Sequence, residues 1–542
     1  MKVLIAATQA VLVLVLFLAV PSVAFSQPAV PALTAEQWRA DIRYMADELP
    51  KRHPNLFKWM KREDFDNSIK ALSDKAATAS GEEIMVGMMK VVSMAQDGHT
   101  TLFAPGIFQT KFYPVRFYAF SDGLFIVRAS PENKNLVGSR VVKVGNLPVD
   151  EAMRQVKTVT FSDNDMARLD HAPMSMSVPE ILRGLRIIPE NMVLSLVVEQ
   201  GGKQRTVDLK PSAAFGDFFH PPDSWADAAS VKPLYRKDPG NNFWFEYLKD
   251  SRTMYVQQNA VANKDGGETV AAFYKRVFAE VEANPVEKFV LDLRFNGGGN
   301  NGLNRQPVID IIKSKIDVRG KLFVITGRQT FSAAQNFVSE LEKYTQAIFV
   351  GEPTAGHPNH YGDAVPFTLP NSKFEVRVSS VSWQDVDPRD RRVWTAPLIA
   401  ADLSSEDYRL GRDPAMKAIA EFGPGQTFRE TMMAAVPKGG AEIAKAYRAF
   451  RSDPSHKYVE TEAEVNRLGY MLLQQKKNDD AIIVLGLNVE YFPGSANAYD
   501  SLGDAYQAAG RKDDAIKAYE KALSIDPSHP SARTNLQKLK GN

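Results

Sequence analysis

Cysteine is absent from this chain of 542 residues. Without a thiol the protein cannot form disulfides, bind a metal through thiolates or use a cysteine nucleophile. A strong charge of either sign is also missing, because 66 basic side chains are balanced by 64 acidic ones and the net charge is +2. This balance provides no overall field for nucleic acid or for an anionic membrane surface, so we expect neither as a partner.

Long hydrophobic runs are scarce and are confined to the N-terminus. Lys2 precedes an apolar stretch from Val3 to Val20, and the small-residue sequence Ala24-Phe25-Ser26 follows. This order of features is typical of a secretory signal peptide over residues 1–26. It predicts a periplasmic or secreted protein with no membrane contact after cleavage. The alternative is an uncleaved N-terminal membrane anchor, because the run approaches the length of a spanning helix.

The rest of the composition is that of a globular protein, with 44% hydrophobic and 24% charged residues. At about 150 residues per domain, the length predicts roughly three or four domains. Apolar residues recur at helical spacing over residues 34–111, as at Trp38, Ile42 and Met45. Short β-branched runs follow over residues 112–211 and predict a β-rich module.

Strands and helices alternate over residues 242–422, which predicts an α/β core with parallel strands. Beyond this core the pattern is helical to the end and contains a repeat. The pairs Gly469/Gly503, Ala481/Ala515 and Pro493/Pro527 are each 34 residues apart. This period is typical of tetratricopeptide repeats, which we predict over residues 461–540 as a short helical solenoid that either binds a partner protein or only caps the fold.

Two loops of the predicted α/β core carry residues suited to catalysis. The strand that ends near Asp292 leads into Gly297-Gly298-Gly299, whose backbone N–H groups can form an anion-binding nest. Because the lysine and the hydroxyl residue of a phosphate-binding loop are missing, stabilisation of an oxyanion is the better interpretation. Ser332 lies at the next strand-to-helix turn, either as a nucleophile or as an ordinary helix N-cap.

Three motifs together resemble the C-terminal-processing (tail-specific) serine peptidase superfamily, which includes tricorn protease. They read DLRFNGGG, TFSAAQNF and GEPTAG, and begin at Asp292, Thr330 and Gly351. The resemblance extends from about Thr34 to Phe422 and implies a multidomain α/β and α+β protein. Its expected parts are a helical N-terminal domain, a PDZ-like module over residues 112–211 and an α/β serine peptidase core.

The same resemblance implies roles for individual residues. Ser332 would be the acylating nucleophile, and the N–H of Ala333 with the Gly297 and Gly298 backbone would form the oxyanion hole. Tail-specific peptidases place a lysine base 25 residues after the serine, but here that position is His357. No serine–lysine dyad can therefore be drawn.

The resemblance to the tricorn-like branch, which uses a histidine upstream of the core, implies that the base is a histidine in such a segment. Asp97-Gly98-His99-Thr100 resembles that segment, so His99 is the predicted base, and a neutral imidazole suits this task at working pH. His357 is the second candidate base and is otherwise assigned to substrate binding. Asp385 is the predicted orienting acid, with Asp387 and Asp97 as alternatives.

These observations predict an exported serine peptidase that hydrolyses peptide bonds through an acyl-enzyme, with peptides or proteins as substrates. No metal and no organic cofactor is implied. The alternative is a non-catalytic peptide- or ligand-binding protein on the same fold, since the family lysine is missing.

Overall fold

The computed structural model describes residues 30–214, 223–225, 231–423 and 427–541. The predicted signal peptide, residues 1–26, lies outside the described residues. The chain divides into two compact units. One contains the residues up to Thr395 together with Ala401–Ile419, and the other contains Ala396–Ala400 together with the residues from Ala420 onward.

The helices and strands have the following bounds. The helices are α1 (Ala35–Arg52), α2 (Arg62–Lys75), α3 (Gly81–Ser93), α4 (Val149–Lys157), α5 (Asp165–Ser175), α6 (Pro179–Gly184), α7 (Val270–Ala283), α8 (Arg305–Lys313), α9 (Ala333–Tyr344), α10 (Ser405–Leu410), α11 (Pro414–Glu421), α12 (Phe428–Ala435), α13 (Gly440–Ser452), α14 (Glu462–Gln474), α15 (Asn478–Tyr491), α16 (Ala496–Ala508), α17 (Lys512–Ile525) and α18 (Pro530–Lys540). The strands are β1 (Thr101–Phe103), β2 (Val115–Phe120), β3 (Gly123–Ala129), β4 (Arg140–Val144), β5 (Leu147–Pro148), β6 (Leu194–Gln200), β7 (Lys203–Leu209), β8 (Asp223–Ser224), β9 (Phe243–Leu248), β10 (Thr253–Gln258), β11 (Lys288–Asp292), β12 (Leu322–Thr326), β13 (Ile348–Gly351), β14 (Asn359–Gly362), β15 (Val365–Thr368), β16 (Glu375–Val378), β17 (Val381–Gln384) and β18 (Ile399–Ala400).

The N-terminal helices begin with strong capping signals and bury one face. Thr34 and Ser80 each form a capping box with the residue three positions later, which satisfies free N–H groups at the starts of α1 and α3. The apolar residues at helical spacing, including Trp38, Ile42 and Met45, are 0–3% exposed. Their spacing therefore marks the buried face of α1.

The β-rich module is a mainly antiparallel sheet in the order β2-β3-β4-β6-β7. Phe120, Phe125 and Val127 on strands β2 and β3 form a small cluster, but most of the buried residues of the sheet belong to a larger core. One continuous core contains α1 to α3, this sheet and apolar residues between Phe367 and Val378. The apolar faces of the helices in residues 34–111 and of the sheet in residues 112–211 are therefore buried together.

The α/β layer contains adjacent strands in the order β13-β12-β11-β10-β9. Strands β10 to β13 are parallel, and β9 is antiparallel to β10. Asp292 at the end of β11 lies beside Ile325 of β12. Because the two strands run in the same direction, the glycine loop after β11 and the turn to Ser332 after β12 meet at one edge of the sheet.

The second unit is helical, and its core begins earlier than the predicted repeats. Phe428 and Tyr447, in the two helices before residue 461, share a hydrophobic core with Leu468 and Leu485. The helical unit thus includes α12 and α13 besides the repeats. Glycines at repeat positions allow adjacent helices to approach, because a Cβ at Gly503 would lie 2.5 Å from the ring of Tyr519.

Gly503→Ala is expected to destabilise the helical unit by about 1–3 kcal/mol, because the added methyl group overpacks a buried contact. Tyr519 cannot easily move away, since it is fully buried and its hydroxyl donates to Asp504. Gly486→Ala is the matched control. No atom lies within 4 Å of a Cβ there, so it is expected to stabilise its helix by about 0.5–1 kcal/mol. Hydrogen exchange in urea measures the first change in α16–α17 and the second in α15, and equal effects would contradict the packing role of Gly503.

Candidate active site

Ser332 has a strained backbone at the turn between β12 and α9. Its φ is +53°, which is unusual for a residue other than glycine. Gly298 packs against this turn so closely that a Cβ there would lie 2.7 Å from the Cβ of Ser332. The side chain of Ser332 makes no capping hydrogen bond to α9, although the residue occupies the N-cap position. The structure therefore does not support the alternative of an ordinary N-cap.

The hydroxyl of Ser332 instead faces His99. The Oγ atom lies 3.0 Å from Nε2 of His99, across 233 positions of sequence. The imidazole stacks on the ring of Phe331, with centroids 4.5 Å apart and an interplanar angle of 24°. Its side chain is 14% exposed. This arrangement is the geometry required for a base to take the proton of a serine nucleophile.

The carboxylate closest to the other imidazole nitrogen belongs to Asp97. Its Oδ1 lies 3.8 Å from Nδ1 of His99 and accepts a hydrogen bond of 3.0 Å from the backbone N–H of His99. Nδ1 itself is buried and makes no hydrogen bond within the described part of the chain. Asp97 therefore acts on the imidazole by charge at short range, and it also fixes the turn that carries the imidazole.

Three side chains donate hydrogen bonds to Oδ2 of Asp97. They are the Thr100 hydroxyl at 2.5 Å, the Ser379 hydroxyl at 2.6 Å and Nε2 of His53 at 3.1 Å. Burial alone would raise the pKa of Asp97, but the hydrogen bond from His53 and the charge of His99 bring it below its ordinary value. Asp97 is thus an anion at neutral pH, although its side chain is fully buried.

His53 is held in one tautomer. Its Nδ1 accepts a hydrogen bond of 3.0 Å from the backbone N–H of Asn55, so the proton of the neutral ring is on Nε2 and is donated to Asp97. A network results in which His53 holds Asp97, Asp97 faces His99, and His99 contacts Ser332. Sequence reasoning missed His53 and Ser379, because both reach the site from distant segments and neither lies in a recognisable motif.

Only some of the N–H groups in the predicted oxyanion hole are free to donate a hydrogen bond. The N–H groups of Gly297 and Ala333 have no hydrogen-bond acceptor among the described residues. The N–H of Gly298, in contrast, donates to Oδ1 of Asn296 at 3.0 Å. The N–H of Gly298 is therefore not free to bind an oxyanion, in contrast to the expectation from the sequence. Gly298 permits the close approach to Ser332, and the free donors in the loop and at the helix start are those of Gly297 and Ala333.

His357 is buried apart from the serine–histidine pair. Its ring stacks on Trp59 with centroids 4.6 Å apart, and its backbone N–H donates to Asp163. Burial and the nearby charge of Lys58 lower the pKa of His357 to about 4, so the ring is neutral at neutral pH. Within the described residues no hydrogen bond joins it to Ser332.

Asp385 lies against α9 and is not joined to His99. Its carboxylate accepts a hydrogen bond from Nδ2 of Asn336, and burial raises its pKa. Asp387 pairs with the exposed Arg389. Of the three carboxylates considered from the sequence, only Asp97 lies within ion-pair distance of His99 in the described structure.

The described residues contain neither a metal site nor a membrane-spanning helix. No group of three or more His, Asp or Glu side chains there has the arrangement of a metal site. No helix in the described ranges is both long and apolar enough to cross a membrane.

Comparison with solved structures identifies the fold. The crystal structure of a serine-to-alanine mutant of CPAF aligns with a TM-score of 0.51 and 12% identity, covering 72% of this chain and 99% of that chain. Mature CPAF complexed with lactacystin aligns with a TM-score of 0.49 and 12% identity, covering 72% of this chain and 97% of that chain. The photosystem II D1 C-terminal processing protease aligns with a TM-score of 0.32 and 13% identity, covering 70% of this chain and 98% of that chain.

At this identity the likeness concerns the fold alone, and the resemblance predicted from the three motifs is confirmed only at that level. The chain shares its fold with the CPAF mutant structure. The tetratricopeptide repeat family model matches residues 496–529, which confirms the predicted repeat type. No curated protein sequence matches the chain significantly.

Proposed function

We propose that this protein is a serine peptidase in which Ser332 is the nucleophile and His99 is the base. The observation that carries the proposal is the distance of 3.0 Å between Oγ of Ser332 and Nε2 of His99, with the anionic Asp97 on the other side of the imidazole. A shared fold alone does not imply catalysis, but this arrangement of hydroxyl, imidazole and carboxylate has the geometry of acyl transfer.

The mechanism follows from these positions. Oγ of Ser332 attacks the scissile carbonyl carbon while Nε2 of His99 takes the hydroxyl proton. The N–H groups of Gly297 and Ala333 stabilise the oxyanion of the tetrahedral intermediate. His99 then donates the proton to the leaving amine. A water molecule hydrolyses the acyl-enzyme by the same steps in reverse order.

Asp97 is the acid in this proposal, in place of Asp385. It stabilises the imidazolium that forms when His99 takes the proton, and its own charge is maintained by His53, Thr100 and Ser379. Strong hydrogen-bond donation to a carboxylate keeps it from competing for that proton.

The remaining parts of the chain are proposed to select and present substrates. The module at residues 112–211 would be a PDZ-like domain that binds a peptide terminus. The helical repeats would bind a partner protein or a long substrate. Residues 1–26 would direct export, to the periplasm or the medium.

Labelling with a fluorophosphonate tests the function directly, because this reagent reacts only with an activated serine. We expect one label on the full chain, located by mass spectrometry in the peptide that contains Ser332. A chain that stays unlabelled and hydrolyses no peptide would instead support a non-catalytic binding protein on the same fold.

The identity of the acid can be tested by two isosteric substitutions. Asp97→Asn is expected to lower kcat by about 10²–10⁴, because the imidazolium loses its charge partner. Asp385→Asn is expected to leave kcat unchanged, since an amide oxygen can still accept the hydrogen bond from Asn336. Melting temperatures must accompany both measurements, because Asp97 also holds buried donors. A large loss of kcat in Asp385→Asn with an unchanged melting temperature would assign the acid to Asp385.

A further inference from the structure

The two-stranded sheet of β14 and β17 presents one face to the imidazole of His99. Gly362 of β14 lies opposite Val381 of β17. His360 lies opposite Trp383 in the same pair of strands. Because opposite residues of an antiparallel pair point to the same side, and side chains alternate along a strand, these four residues share one face. The rings of His360 and His99 are nearly parallel, with centroids 6.1 Å apart, so this face borders the candidate site.

The indole of Trp383 reaches the edge of that site. A Cβ added to Gly362 would lie 3.1 Å from Nε1 of Trp383 and 3.9 Å from Cε1 of His99. The edge of the indole and the imidazole therefore adjoin the same point of β14. A Cβ contact of 3.1 Å is tighter than ordinary van der Waals contact, so the indole occupies room that only a glycine leaves at this position.

The indole is fixed in this position by a hydrogen bond. Its Nε1–H donates to Oδ2 of Asp363 at 2.8 Å. Asp363 has a φ of +53°, which is unusual for a residue other than glycine. Its carbonyl oxygen accepts a hydrogen bond of 2.6 Å from the Ser380 hydroxyl, which holds the turn against the start of β17. An aromatic surface that is already fixed loses little conformational entropy when a ligand packs on it.

This part of the face is apolar and partly open to solvent. Val381 is 38% exposed and Trp383 is partly exposed, whereas His360 is buried. Burial, followed by the charge of His99, lowers the pKa of His360 to about 3, so its ring is neutral at neutral pH. The four residues of the face thus carry no charge, and the face continues from the buried imidazole to an accessible apolar surface.

We propose that Trp383 and Val381 form a substrate subsite that takes a large apolar side chain, aromatic or aliphatic, close to the scissile bond. The inference rests on the proposed function, because it takes Ser332 and His99 as the reacting groups. A peptide whose carbonyl carbon lies at Oγ of Ser332 passes beside His99, and a bulky side chain there packs on the indole and covers the exposed valine. Aromatic side chains gain further from the contact between rings. Trp383 determines specificity and takes no part in proton transfer.

Peptide binding to the full chain in a Ser332→Ala background tests the subsite without any need for turnover. The probes are three blocked pentapeptides, acetyl-Gly-Ala-X-Ala-Gly-amide, in which X is Phe, Leu or Ala. We expect the Phe and Leu peptides to bind about tenfold more tightly than the Ala peptide in an NMR titration, because they bury a large apolar side chain. Adding Trp383→Ala should remove this preference, and adding Trp383→Phe should retain most of it.

Two further variants complete the test. Val381→Ser changes an exposed position, where it does not threaten the fold, and should also weaken binding of the Phe peptide. Tyr344→Ala is the matched control and should leave the preference unchanged. It removes a 53% exposed aromatic ring at the far end of α9, about 18 Å along the helix from Ser332.

The subsite is overturned if the Phe and Leu peptides bind no better than the Ala peptide. It is also overturned if Trp383→Ala and Val381→Ser both keep the preference of the parent chain. Fluorophosphonate labelling of the chain that retains Ser332 reports separately on catalysis. A chain that stays unlabelled but shows a preference dependent on Trp383 would refute the proposed peptidase activity and would still support this subsite as a peptide-binding surface.

Discussion

Ser332→Ala is expected to abolish hydrolysis, with a loss in kcat of up to about 10⁶ and no remaining fluorophosphonate label. The acyl-enzyme cannot form without Oγ, because no other hydroxyl is hydrogen-bonded to His99 in the described structure. Folding should be preserved, since the removed oxygen makes no capping hydrogen bond to α9. Steady-state hydrolysis of a short unstructured peptide measures the effect.

The control for this substitution is Ser339→Ala. Ser339 lies in α9, the helix that Ser332 precedes, and its buried hydroxyl contacts Gln335 and not His99. Labelling should therefore survive Ser339→Ala. Equal labelling of Ser332→Ala and the unchanged protein would show that the reactive serine is elsewhere.

His99→Ala is expected to lower kcat by about 10²–10⁴, because the proton of Ser332 then has no base. His357→Ala should act mainly on KM, since the structure places this ring against Trp59 and away from the serine hydroxyl. The roles of the two histidines can thus be distinguished by which constant changes, kcat or KM. A full loss of turnover in His357→Ala, with His99→Ala still active, would reverse their roles.

Much of the architecture could be predicted from local patterns. Helical spacing around Trp38 marked a buried face, and the 34-residue offset of Gly469 and Gly503 marked a repeat whose helices approach closely. Both signals are local, because each follows from one helix or from two consecutive ones. The shared core of the N-terminal helices and the β2–β7 sheet could not be predicted, because it depends on which apolar faces meet in space.

In the candidate site, too, the residues in local motifs could be predicted, whereas contacts between distant segments could not. Ser332 and His99 were named from motifs, and the structure brings their side chains together. Asp97 was only one of three alternative acids, because its environment is built by His53 and Ser379, far away in sequence. The hydrogen bond from the Gly298 N–H to Asn296 could not be predicted either, since a run of three glycines does not show which N–H groups remain free.

Ser332 and its proposed base His99 are anchored in different hydrophobic cores. The turn that carries His99 follows α3, whose buried face belongs to the N-terminal core, whereas Ser332 precedes α9, which packs into the core of the α/β layer. A fragment limited to residues 242–422 would therefore contain the proposed nucleophile and the proposed oxyanion loop and still lack the proposed base. In such a protein the smallest functional piece is larger than the segment that holds the recognisable motifs, and a search for minimal active fragments should begin near residue 30.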